Sequence, residues 1–81
     1  MEDISNFAHR YKIRLDTMRD CTEFVSAVSR CKGKVYIMDE NDEYRVDSKS
    51  QLGVMMAQAE WENLYVVSNE EIAGLIERFI I

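Results

Sequence analysis

Four short strands, with helices at two separated places among them, predict an α+β fold of the order β-α-β-β-α-β-α. The expected architecture is a four-stranded antiparallel sheet covered on one face by three helices. Three observations lead there. The segment from Tyr11 alternates apolar and polar residues at period two. The stretch after Asp20 repeats apolar residues at helical spacing, and the same change of period recurs between Trp61 and Phe79. At 81 residues and 9.5 kDa the chain makes a single domain over 1–81. A chain this short buries only roughly 60–65% of its unfolded surface and cannot divide that core in two.

Residues 1–10 lack periodicity and read as an N-terminal extension. Within it Ile4, Phe7 and Ala8 have the spacing of a short turn against the body or of a frayed end. Tyr11, Ile13 and Leu15 then alternate with Lys12, Arg14 and Asp16, which gives strand one an apolar face for the core and a largely basic face for water. Asp20 reads as the N-cap of the first helix, with Glu23 three positions on completing a capping box. That helix runs to about Lys32, carries Cys21, Phe24, Val25, Val28 and Cys31 on its inner stripe, and has Gly33 where a left-handed residue would end it.

With no proline in the chain, punctuation falls to glycine, asparagine and aspartate. Val35 to Met38 is a strand, Asp39 to Glu43 a solvated turn, and Tyr44 to Val46 its hairpin partner. A short helix follows from Gln51 to Gln58, with Ser50 as its cap and Leu52, Met55 and Met56 on one face. Gly53 weakens it by roughly 1 kcal/mol relative to alanine, so the cap matters. Those three apolar residues serve either as a docking patch or as a core-facing stripe. Leu64 to Val67 is the last strand, and Ser68 with Glu71 forms a second capping box before a helix with Ile72, Leu75, Ile76 and Phe79 inside. Trp61 reads as a lid on the small core.

Composition excludes several functions. Ten Lys and Arg against fifteen Asp and Glu leave a net charge of −5, without the cationic footprint of a nucleic-acid binder. The start Met1-Glu2-Asp3 is acidic where a signal peptide needs cations, and the longest near-apolar run, Leu52 to Ala57, is far short of the ~20 residues of a membrane span, so a cytoplasmic address without membrane attachment is expected. Cys21 and Cys31 are too few for a disulfide scaffold and, beside a single histidine, too few for zinc; both read as core residues. If one helix joined them they would stand roughly 15 Å apart, beyond disulfide reach. The acidic turn lacks the glycine bend and spaced ligands of a calcium loop. His9, ahead of strand one, supplies no general base to a buried cysteine, and no glycine-rich phosphate cradle occurs. No enzyme activity, metal or cofactor is expected.

The segment Val46-Asp47-Ser48-Lys49-Ser50-Gln51-Leu52-Gly53-Val54-Met55 resembles the most recognisable stretch of HPr, the histidine-containing phosphocarrier family of the bacterial sugar phosphotransferase system. In that family a Lys-Ser pair starts a short helix and is followed by two apolar residues and Gly-Val-Met. Lys49-Ser50 and Gly53-Val54-Met55 match at the same spacing, and the element order is also the family's, over about Tyr11 to Phe79.

The family's active loop is not kept. Where it has His-x-Arg-Pro after strand one, this chain has Thr17-Met18-Arg19-Asp20: Thr17 in the place of the histidine, Arg19 retained, Asp20 for proline, in a shorter loop. A threonine forms no phosphoimidazole, and a neighbouring aspartate repels phosphate. The resemblance therefore implies a degenerate member without phosphocarrier activity. It also implies that Ser50, matching a serine that a dedicated kinase phosphorylates in many HPr proteins, is a candidate phosphoserine. Phosphate at a helix N-terminus meets free amides and the positive end of the dipole, and Lys49 adds a cation beside it. The plainer alternative is that Ser50 only caps. Lys49, Gln51, Leu52 and Met55 form the expected surface for a protein partner, which the resemblance makes a phosphotransferase-system component, kinase or regulator; Gln51 stands where the family often has an exposed apolar residue. Two other readings stay open. One is a working phosphocarrier that uses Thr17 or His9; the other is a structural domain that dimerises through Phe79-Ile80-Ile81.

Overall fold

The structure is a computed structural model that describes residues 7–81, so the turn expected around Ile4 lies outside the described residues. The elements are β1 (His9–Ile13), α1 (Met18–Val28), β2 (Val35–Met38), β3 (Arg45–Asp47), α2 (Gln51–Glu60), β4 (Leu64–Ser68) and α3 (Ala73–Ile76), followed by a 3₁₀ turn over Glu77–Phe79. The α+β class and the element order are those expected. All strand pairs are antiparallel, in the spatial order β1-β4-β2-β3. The two most apolar strands, β2 (Val-Tyr-Ile-Met) and β4 (Leu-Tyr-Val-Val-Ser), therefore each have neighbours on both sides, where β-branched residues pack best.

Register fixes which face is buried. Ile13 lies opposite Leu64, Tyr11 opposite Val66, and Val66 in turn opposite Ile37, which pairs with Val46. These residues point to one side because side chains alternate along a strand. Over them sit Cys21, Phe24 and Val28 of α1, Val54 and Ala57 of α2, and Ile72, Ile76 and Phe79, all in one buried cluster. Phe24 meets Phe79 edge-on with ring centroids 5.6 Å apart, joining α1 to the C-terminal turn. Cys21 and Cys31 are both free and buried. On the opposite face Arg10 lies 4.4 Å above the Tyr65 ring and Arg45 4.6 Å above the Tyr36 ring, with Phe7 stacked on Tyr36.

Several boundaries differ from the expectation, each for a local reason. β1 begins two residues early, because His9 and Arg10 pair with Ser68 and Val67. α1 starts one turn early: Thr17, not Asp20, is its N-cap, and Asp20 is the third helical residue of the box. Thr-x-x-Asp satisfies the same donors as Asp-x-x-Glu, and Glu23 turns instead to Arg19 and Arg78. α1 ends at Val28 rather than near Lys32, where Arg30 and Cys31 fold back in tighter bonds to Ala27 and Val28. Gly33 has no positive φ, so it is not a left-handed terminator. The left-handed residue is Asp42, φ 58°, in the β2–β3 turn, a conformation aspartate tolerates. β3 runs one residue later than expected, and α2 reaches Glu60.

The second capping box does not form. Ser68 ends β4, fully buried, and its hydroxyl accepts from the Glu70 amide; α3 starts only at Ala73, without a side-chain cap on its own N-cap residue. Leu75, expected inside, is exposed, while Ile72, Ile76 and Phe79 are buried. The last residues pack against the chain itself. Ile80 bridges Ile13, the Arg14 amide donates to Phe79 and the Ile81 amide to Lys12, so the end lies along the free edge of β1. Among the described residues no helix is long and apolar enough to cross a membrane.

Candidate functional site

Two helix starts carry the candidate residues. At the start of α1, Thr17 Oγ1 accepts from the Asp20 amide at 3.0 Å. The Asp20 carboxylate in return accepts from the amides of Asp16 at 2.9 Å and Thr17 at 3.2 Å. The carboxylate is thus fixed on the two amides just ahead of α1 and sets a negative charge at the positive end of the helix dipole. Those bonds, the Asp16 amide first and then the Thr17 amide and Arg78, hold the Asp20 carboxyl below its usual value against the opposing effect of burial.

The nearby cations are engaged as well. Arg19 Nε pairs with Glu23 at 2.9 Å, Arg78 reaches both Asp20, at 3.3 Å, and Glu23, and Arg14 pairs with Asp16 at 3.3 Å. Thr17 and Arg19 are both exposed, but each is tied into this charged network. The sequence reading missed Arg78, which arrives from the C-terminal turn; the spacing Thr-x-x-Asp was the available signal for the rest. His9 sits at the far end of β1 from Thr17, its ring stacked on that of Tyr11 with centroids 6.4 Å apart.

At the start of α2, Ser50 is the N-cap and its Oγ accepts from the Gly53 amide at 3.1 Å. A Cβ at Gly53 would stand 3.3 Å from both Ser50 Oγ and Val46 Cβ, so a side chain there would make these neighbours yield by a few tenths of an ångström. Lys49 has a use the sequence reading did not foresee. Its ammonium donates to the carbonyls of Cys31 at 2.6 Å and Gly33 at 2.9 Å, closing the loop after α1. Gln51 Nε2 donates to Thr22 Oγ1 of α1 at 3.0 Å, and Met55 packs against the core cluster. Leu52 is different: it is 77% exposed, in the first turn of a helix whose buried residues are Val54 and Ala57. Met56 is also exposed, so of the three residues expected on one face only Met55 meets the core.

The two starts do not come together. Gln58, near the end of α2, donates to the carbonyl of Leu15 just before α1, whereas Lys49, ahead of α2, reaches the loop after α1. The helices are therefore antiparallel neighbours, with Thr17 and Ser50 toward opposite ends of the pair. No protein-family model, curated protein or solved structure matches this chain.

Proposed function

We propose that the chain is a non-enzymatic protein-binding module of the HPr-like kind, cytoplasmic, without phosphocarrier activity, which meets a regulatory or phosphotransferase-system partner through Ser50 and Leu52. The Asp20 carboxylate carries this reading, because it is held against the amides of Asp16 and Thr17 and places a negative charge beside Thr17, where it repels a phosphoryl group on that loop. Arg19, the one cation kept from the family's loop, is neutralised by Glu23. Ser50 and Leu52 support the second half of the reading. Both are exposed, and the first amides of α2 have no partner within the helix, which suits a phosphoryl group on Ser50 and an apolar contact on Leu52. Lys49 takes no part, since its ammonium is held by carbonyls.

The test is incubation of the chain with phosphoenolpyruvate and the first enzyme of the sugar phosphotransferase system, read by intact mass. The expected result is no added phosphate. An acid-labile, base-stable phosphate on the chain would falsify the proposal. Treatment with an HPr kinase and ATP then examines Ser50, with phosphate expected on the natural chain and absent from Ser50→Ala.

A further inference from the structure

Away from both helix starts, the β2–β3 hairpin and the C-terminal half of α2 enclose a groove of about 310 Å³ lined by Tyr44, Arg45, Val46, Met56, Glu60 and Trp61. Its walls are mostly apolar and they face water: Tyr44 is 64% and Met56 37% exposed. A second hollow of about 200 Å³ shares Glu60 and Trp61 with it and continues past Asp39, Glu40 and Glu62. The two form one trough, apolar at one end and acidic at the other.

Among the described residues the acidic end lacks counterions. Asp39 is occupied, its Oδ1 accepting from the amides of Glu43 and Tyr44 at 2.7 and 2.9 Å. Glu40, Glu60 and Glu62 are exposed and enter no hydrogen bond or ion pair among the described residues. Arg45, the single cation lining the trough among the described residues, lies over the Tyr36 ring. Three unpaired carboxylates beside an apolar slot repel an acidic or anionic occupant and favour a cationic one.

We infer that this trough is a docking site for a cationic peptide segment of a partner protein, an apolar side chain entering between Tyr44, Met56 and Trp61 while its Lys or Arg neighbours meet Glu40, Glu60 and Glu62. Aromatic and methionine walls fit such an anchor because they adapt to its shape and give large contact areas. The inference does not rest on the HPr-like reading; it concerns the opposite end of α2 from Ser50.

Trp61, the only tryptophan, lines both hollows and reports occupancy directly. The full chain is titrated with a short peptide of alternating Lys and Leu and, in parallel, with its Glu and Leu counterpart, following Trp61 fluorescence. A saturable change is expected with the Lys peptide alone, weakening as salt rises. The triple variant Glu40→Gln, Glu60→Gln, Glu62→Gln should bind about tenfold more weakly and lose most of the salt dependence. Tyr44→Ser should weaken binding at all salt concentrations, and Leu52→Ala should bind as the natural chain does. All of these side chains are exposed, and circular dichroism checks that each variant is folded. Equal response to the two peptides, unaltered binding by the triple variant, or loss of binding in Leu52→Ala would overturn the assignment. The last result would move the contact to the Ser50 end.

Discussion

Asp20 does three things with one carboxylate: it closes the cap of α1, anchors Arg78 of the C-terminal turn, and sets a negative charge beside Thr17. Its depressed pKa makes the first two effects dependent on pH. A carboxyl held lower in the folded chain than in the unfolded one contributes stability above its ordinary value, and that contribution disappears as pH falls through the folded value. Asp39 and Glu71 act in the same direction, Asp39 through the Tyr44 amide and Glu71 chiefly through the Ala73 amide. The melting temperature should therefore be flat near neutrality and fall below about pH 4, the ordinary carboxylate range. In Asp20→Asn part of that acid slope should be gone, which a pH series of thermal melts would reveal. Ser50→Ala should lose about 1 kcal/mol in urea denaturation through the lost cap, whether or not Ser50 is ever phosphorylated.

Helix lengths show how much was legible in the sequence. α1 could be read because Cys21, Phe24 and Val28 repeat at helical spacing, and Ser50 could be read as a cap because it stands where a hydroxyl accepts from the first free amides; the buried face of α2, Val54 and Ala57, differs from the one its apolar spacing suggested. The ends were harder. Thr17 and Asp20 both suit an N-cap, and only the bonds from Asp16 and Thr17 decide between them. α3 was overestimated, since the Ser68 hydroxyl turns to Glu70 and Glu71 to Ala73, each closing a local turn that shortens the helix. Leu52, expected on the partner surface, is exposed, whereas the roles of Lys49 and Arg78 could not be read because each depends on an element remote in sequence. α3 also offers a stability test. A methyl group at Gly74 would meet nothing within 4 Å and the φ is not positive, so Gly74→Ala should gain about 0.5–1 kcal/mol by helix propensity, seen as a higher denaturation midpoint.

One layer of helices on one sheet gives the molecule a single core with little redundancy. Phe24 and Phe79 meet at its centre and tie α1 to the end of the chain, so Phe24→Ala should cost about 3–5 kcal/mol. Domains of this size are stable by only about 4–12 kcal/mol, so the variant should melt far below the natural chain or remain partly unfolded in calorimetry. The position of the Cys21 thiol has a kinetic consequence. Burial raises the Cys21 pKa, and at 0% exposure that residue is closed to an alkylating reagent while the sheet and helices stay together. Iodoacetamide added to the native chain would therefore act as a clock for spontaneous opening, its uptake at Cys21 tracking the brief excursions in which the interior parts.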